Sequence, residues 1–350
     1  MKILLITNMR PSPQKPYSGI FVINQFNRLK ENPNHQVSLF TMERSFTSGI
    51  ASYWKYLKAF ISFVPHYFKK YDLLHVHYFF PFIIAAYLYK VIRPSTKLVV
   101  TFHGSDINEK INEKNAKFFR GLTGKVDFVI AVGNDLAAMV YQKLNLKTDQ
   151  VLSAGIEDRV FAPFESSEKL YDFTFASSFV YRKGLDILIE AIKIFSEKEL
   201  RFCFIGGGVL EDEIHSLSED YKVDIKLNLK QREMCEVFNQ SYFHVLPSRF
   251  EPFGLVVTES MFCGTPSIVS NVGGIKDQVL NGVNGFVLEE NTPACLAKHL
   301  EDCYSIIQSG KYLELQKSAL ASNKEHSLTE VMLETMRIYE SLVYPSKVKD

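Results

Sequence analysis

Cysteine is scarce: the 350 residues hold five (Cys203, Cys235, Cys263, Cys295 and Cys303), an odd number with no Cys-x-x-Cys pair. That argues against a disulfide framework and against a zinc site, and it points to a reducing cytoplasm. Long apolar runs are lacking too. Met1 and Lys2 lead straight into Ile3-Leu4-Leu5-Ile6-Thr7-Asn8, too short for a secretion signal and right for a buried parallel strand. The apolar run 79–92, 14 residues with Pro81 inside, is too short to span a bilayer and reads as a buried helix or an interfacial patch. Charge of one sign is missing overall, with 40 Lys and Arg against 39 Asp and Glu. No nucleic-acid-binding motif accompanies the basic residues, so nucleic acid is not an expected partner.

What is present is enough chain for two cores, with 46% hydrophobic and 23% charged residues, the balance of a soluble globular protein. The near-zero net charge hides an asymmetry. Residues 1–160 carry 21 Lys and Arg against 11 Asp and Glu, and the remainder 19 against 28. Within the basic half, the stretch 52–71 mixes Tyr53, Trp54, Tyr56, Phe60, Phe63 and Phe68 with Lys55, Lys58, Lys69 and Lys70. Two readings stand side by side: a helix lying on an anionic membrane surface, or a helix packed on a sheet.

In chain order, a strand from Ile3, a Pro-rich loop ending at Gly19, a helical run 21–29 and a second strand 36–41 form the βαβ unit of a doubly wound sheet. Residues 72–77 form a strand with His75 and His77 on one face, which suits either a metal or a pair of buried, hydrogen-bonded imidazoles. The strand 98–102 runs into His103-Gly104-Ser105-Asp106, so His103 stands at a strand C-terminus, where open α/β sheets bind ligands. A break is expected near 153–163, followed by a new strand at 173–176 and a loop carrying Arg182, Lys183 and Gly184 into a helix. Lys183 at a helix start is electrostatically odd unless an anion sits there.

The densest stretch is Pro247-Ser248-Arg249-Phe250-Glu251-Pro252-Phe253-Gly254, a shaped loop that delivers a glycine to a helix holding Leu255, Val256 and Glu259. Free amides and the positive end of the dipole make that helix start an anion site. The carboxylates Glu251 and Glu259 beside it suit hydroxyl groups on a ligand that also carries phosphate, such as a nucleotide sugar.

Glu251 and Glu259, with Pro-Phe-Gly between them and Gly-Thr-Pro and Gly273-Gly274 after them, resemble the E-x7-E motif of the group 1 retaining glycosyltransferases of the GT-B type. The resemblance implies an α/β fold of two Rossmann-like doubly wound domains facing across a cleft. It divides the chain into 1–160, an acceptor-binding domain; 161–328, a nucleotide-sugar-binding domain; and 329–350, a helix packing back on the first. It implies a catalytic set of His103, Lys183 and Glu251. Donor binding would fall to Gly19, Arg182, Lys183, Glu251, Phe253, Gly254, Leu255 and Glu259, with Glu259 on the ribose. No metal and no other cofactor is expected, because no Asp-x-Asp motif stands at a strand end. The donor is a nucleotide sugar, with UDP favoured over GDP. The acceptor is a glycan or a lipid-linked glycan, as in bacterial surface-polysaccharide assembly at the inner face of the plasma membrane. One departure stands out: the family's phosphate-binding arginine five residues before Lys183 is Ser178 here, so either Arg182 substitutes or Lys183 and amides hold the phosphates alone. A nucleotide-sugar 2-epimerase of the same fold and a non-catalytic sugar-nucleotide-binding protein are the alternatives.

Overall fold

The structure is a computed structural model that describes residues 1–12, 15–42 and 50–345, and the side chains of its second helix from Trp54 onward. Pro13 and Gln14 of the first loop, and the side chains of Ser52 and Tyr53, lie outside the described residues. The chain divides into two compact units. One comprises residues 1–12, 18–155 and 328 onward; the other comprises 156–327 with residues 15–17. The division falls after Gly155, and the returning helix begins at Leu328.

The first unit holds six parallel strands: β1 (Lys2–Thr7), β2 (Gln36–Thr41), β3 (Leu73–His77), β4 (Lys97–Phe102), β5 (Phe128–Ala131) and β6 (Gln150–Val151). Their order is β2-β1-β3-β4-β5-β6. Ile3, Leu4, Leu5 and Ile6 are all fully buried, as expected of a parallel strand covered on both faces. The helix Leu328–Val343 contributes Leu328, Met332, Ile338 and Tyr339 to the same core as Ile3, Leu5, Leu73, Val99 and Ile130. Its Tyr339 hydroxyl lies 2.5 Å from His75 Nδ1, so the end of the described chain is tied to the middle of the first sheet.

The second unit repeats the plan with β7 (Tyr171–Ser178), β8 (Arg201–Gly207), β9 (Lys222–Leu227), β10 (Ser241–Leu246), β11 (Ser267–Ser270) and β12 (Gly285–Leu288). The order is β12-β11-β10-β7-β8-β9, all neighbours parallel. Phe173, Phe175, Phe202, Phe204 and Phe243 fill its core against the helices Leu185–Phe195 and Pro293–Gln308. β6 and β12, of two and four residues, are too short to show a periodicity in the sequence. In each sheet the strand order reverses once, between β1 and β3 and between β7 and β10. Loops diverge at such a reversal and leave a ligand crevice beyond the strand C-termini.

Tyr339→Ala removes a fully buried ring and its bond to His75, and should destabilise the first unit by about 3–5 kcal/mol in urea unfolding. A loss below about 1 kcal/mol would mean that this helix adds little to the core.

Candidate active site

The reversal in the second sheet brings two loops together. After β7 the chain makes a short 3-10 turn, Tyr181–Lys183, and enters the helix at Gly184 with φ 72°. A Cβ on Gly184 would lie 1.8 Å from the Pro247 carbonyl oxygen, so only glycine lets the β7 and β10 loops approach this closely. Arg249 then bolts them: its guanidinium donates to both Asp186 oxygens (2.7 and 2.6 Å) and to the Tyr181 carbonyl, and its amide donates to the Arg182 carbonyl at 2.9 Å. The consequence is a direct ion pair between Lys183 Nζ and Glu251 Oε2, with the two side chains only 14% and 10% exposed.

Glu251 is held from behind. Its carbonyl accepts from Gly274 N at 3.0 Å, and a Cβ on Gly273 would sit 1.8 Å from that oxygen. Gln278 donates to the Phe253 carbonyl while accepting from the Thr258 hydroxyl at 2.6 Å. Asn291 donates to the carbonyls of Pro247 and Ser248 (3.1 and 3.2 Å), and Ser270 also donates to Ser248. The Phe253 ring meets His326 edge-on, with centroids 4.8 Å apart. Gly254, at φ 85°, then starts the helix Leu255–Phe262, in which Val257 N bonds to the Gly254 carbonyl at 2.9 Å while the amides of Leu255 and Val256 precede any intrahelical acceptor.

Glu259 faces a different environment. Burial pushes its carboxyl up to about 8, and among the described residues it has no hydrogen-bond or ion-pair partner. A carboxyl desolvated without compensation is costly to ionise, and a ligand hydroxyl would relieve that cost.

In the first unit, Gly19 has φ 69° and precedes the helix Ile20–Lys30, which has neither a side-chain cap nor an acid in its first turn. That helix places the Phe21 ring 4.8 Å from His103, and Tyr78 lies 4.6 Å away on another side. Asp106 shapes the turn after β4, accepting from the amides of Phe79, His103 and Gly104 at 2.8, 3.2 and 2.9 Å. His103 Nε2 is 3.2 Å from His77 Nδ1, so one of the two donates. Burial lowers the pKa of His75, His77 and His103, so all three are neutral near pH 7. His75 spends both nitrogens on Tyr339 and Thr101, so of the two readings of the strand histidines, the buried and hydrogen-bonded one describes it.

Lys183, Glu251, Phe253, Gly254, Leu255 and Glu259 thus gather at one end of the second sheet, and Gly19 and His103 at one end of the first. Arg182 is exposed, and Ser178 sits on β7 opposite Gly207. Sequence reasoning missed Arg249, Asp186, Gln278 and Tyr78. A charged pair flanking two glycine loops was the only available signal for the first two.

The order reversals define a protein of two Rossmann-like domains, and the lysine–glutamate pair stands at the reversal of the second sheet. Residues 157–315 match the family model described as Glycosyl transferases group 1, and residues 19–153 that of Glycosyltransferase Family 4. The chain belongs to the group 1 glycosyltransferases of GT-B architecture. It is 29% identical to an uncharacterized glycosyltransferase of Methanocaldococcus jannaschii, over 98% of this chain and 99% of that one. It is 28% identical to the N-acetyl-alpha-D-glucosaminyl L-malate synthase of Bacillus anthracis, over 62% of this chain and 61% of that one. Among solved structures, a glycosyltransferase from Rickettsia africae ESF-5 superposes with a TM-score of 0.77 at 18% identity, covering 99% of both chains. Anabaena HepE in complex with UDP and glucose gives 0.74 at 19% identity, covering 97% of this chain and 100% of that one.

Glu259 sets a pH signature. Between its ordinary value of 4.5 and about 8, the folded protein keeps a proton that the unfolded chain releases, so stability falls as pH rises through that window. Glu259→Gln should melt like the wild type near pH 4.5 and be more stable at pH 8.5, by on the order of 2 kcal/mol after solvent screening. Parallel melting curves from pH 4.5 to 8.5 would show that Glu259 is not desolvated.

Proposed function

We propose that the protein transfers a sugar from a nucleoside diphosphate donor to a hydroxyl group of a glycan or lipid-linked acceptor, with retention at the anomeric carbon. The observation that carries this reading is the Lys183–Glu251 pair at the start of the Leu255–Phe262 helix, with the unpartnered Glu259 beside it. A lysine and a glutamate spend their charges on each other until a ligand bearing both diphosphate and sugar hydroxyls separates them. Lys183 then meets the diphosphate together with the amides of Phe253, Gly254 and Leu255. Glu251 hydrogen-bonds the sugar and Glu259 accepts from the ribose; in the first unit, the neutral His103 is the group that offers a hydrogen bond to a sugar. In the first unit, Gly19 leaves room for a ligand to approach the backbone, and Arg182, exposed and without an ion pair among the described residues, stands in for the arginine missing at Ser178.

In the reaction, the bond between the anomeric carbon and the phosphate oxygen breaks as the acceptor oxygen bonds to the same carbon. The leaving phosphate oxygen takes the acceptor proton, and the products are the glycoside and the nucleoside diphosphate. Negative charge builds on the diphosphate in the transition state, and preorganised donors stabilise it most in a site that excludes water. Lys183 and the amides fill that role without a metal. UDP is the favoured nucleotide, a choice supported by the Anabaena HepE complex with UDP and glucose.

The acceptor side is proposed to work at an anionic membrane surface. No described helix is long and apolar enough to cross a membrane. Instead, the helix Ile50–Tyr67 buries Ala59 and Phe63 while exposing Trp54, Leu57, Ile61 and Val64, with Phe68 following at 81% exposure. Leu88, Val91 and Ile92 of the helix Ile83–Ile92 are exposed as well, and Lys58, Lys69 and Lys70 supply charge. Both readings of the 52–71 stretch thus have a face of the helix: one packs on the sheet and the other suits headgroup depth at the inner face of the plasma membrane.

Lys183→Ala should lower kcat about 100–1,000-fold in a protein that still folds, and near-normal turnover would end this assignment. Incubating the protein with UDP-sugars alone and with a lipid-linked glycan, followed by mass spectrometry, discriminates the alternatives. Glycoside formed only with acceptor supports transfer, an altered sugar nucleotide without acceptor would mean epimerisation, and an unchanged donor in both would mean binding alone. In flotation with anionic vesicles, Trp54→Ala/Ile61→Ala should lose most of the bound fraction. Equal flotation of the wild type and this variant would remove the membrane reading.

A further inference from the structure

Beyond the donor-binding residues, one side-chain cluster of the second unit has the chemistry of a metal site. β12 ends at Leu288, the chain continues through Glu289, and Thr292 caps the helix Pro293–Gln308, its hydroxyl accepting from Cys295 N at 3.3 Å. Cys295 and His299 stand four positions apart on that helix and so share a face. Glu289 folds back over them. Its Oε2 is 3.4 Å from Cys295 Sγ and 3.6 Å from His299 Nε2, and one ligand atom from each of the three lies within 4.8 Å of the others.

The imidazole is already oriented. His299 Nδ1 is 3.0 Å from the Cys295 carbonyl oxygen, which only accepts, so Nδ1 carries the hydrogen and Nε2 is left as the ring's ligand atom. A ring nitrogen bonded to a backbone carbonyl while the other lies beside a carboxylate is the outer-shell arrangement of metal-bound histidines, and the Cys295 sulfur sits 3.9 Å from Nδ1 of the same ring. The spacing agrees as well. Bonds of about 2.0 Å to nitrogen and oxygen and 2.3 Å to sulfur place tetrahedral ligand atoms roughly 3.3–3.8 Å apart, and the observed 3.4 and 3.6 Å fall inside that range. Without an ion, the Cys295 thiol donates to the same Glu289 oxygen that His299 Nε2 approaches, so the three groups already converge on one point.

We propose that Glu289, Cys295 and His299 bind one zinc-class divalent cation, through a carboxylate oxygen, a thiolate and Nε2, with the fourth position open to solvent. Thiolate with imidazole selects a borderline-soft ion over magnesium or calcium. The ion has a structural task, independent of the transfer chemistry and of whether the donor reading holds. Asn291 lies between Glu289 and Cys295 in the chain and holds the Pro247 and Ser248 carbonyls. A cation joining 289 to 299 closes a loop around that asparagine, and so fixes the support of the segment that carries Glu251.

The test uses the full-length protein, stripped with EDTA and kept reduced with a phosphine. Titration with Co(II) should give a thiolate-to-cobalt charge-transfer band saturating at one ion per chain and displaced by Zn(II), and Zn(II) should raise the melting temperature. Cys295→Ser should abolish the band, and His299→Ala and the milder Glu289→Gln should weaken Zn(II) binding by about tenfold or more. Wild-type protein that shows no thiolate band, or variants that bind Zn(II) as tightly as the wild type, would overturn the assignment. So would a band that survives Cys295→Ser, since it would move the ion to the Cys235–Cys263 thiol pair, whose sulfurs lie 3.6 Å apart.

Discussion

The close approach of the β7 and β10 loops is the constraint on which the second domain's chemistry rests. Gly184 lies against the Pro247 carbonyl at a distance that excludes any side chain, and the Arg249–Asp186 bond closes the gap on the other flank. Two strands far apart in sequence thereby present Lys183 and Glu251 to each other. A lysine at a helix start is disfavoured by the dipole, and a desolvated lone glutamate is disfavoured by burial, so each stabilises the other while no ligand is present. The geometry of the two charges is thus set by backbone.

A second theme is the cost of charge in desolvated places. His75, His77 and His103 form a neutral series from the Tyr339 hydroxyl to the end of β4, each imidazole prevented from charging by burial. Asp106, with a carboxyl raised to about 6 by burial, is compensated by three amides and so acts as a structural acceptor that shapes the turn. Glu259 has no such compensation. Desolvation raises both carboxyls, and hydrogen bonding separates their parts.

Much of this was legible in the residues. The buried strands announced themselves as short apolar runs, because parallel strands covered on both faces need no alternation. The Glu251–Glu259 stretch showed its loop and helix start through Pro252, Gly254 and the stop at Gly264 and Pro266, which are local signals of backbone conformation. Helix ends at Ile20, Leu185 and Leu255 fall within a residue or two of where glycine placed them. Less was legible where contacts are long-range. The asparagine and glutamine side chains that hold the Glu251 loop, Asn291 and Gln278, carry no local signature, because their partners are backbone carbonyls remote in the chain.

Local periodicity, turn chemistry and the order of elements are properties of neighbouring residues, so the sequence by itself determined two βαβ-built sheets, a lysine and two glutamates at helix starts, and a basic, aromatic first half. Which charges meet is a property of strand order. Only the tertiary structure decided that Lys183 spends its charge on Glu251, that Glu259 stands without a partner, that the 52–71 helix has both a packed and an exposed face, and that Glu289, Cys295 and His299 converge. The physical reason is that desolvation and pairing depend on what lies across a fold, at separations no local pattern encodes.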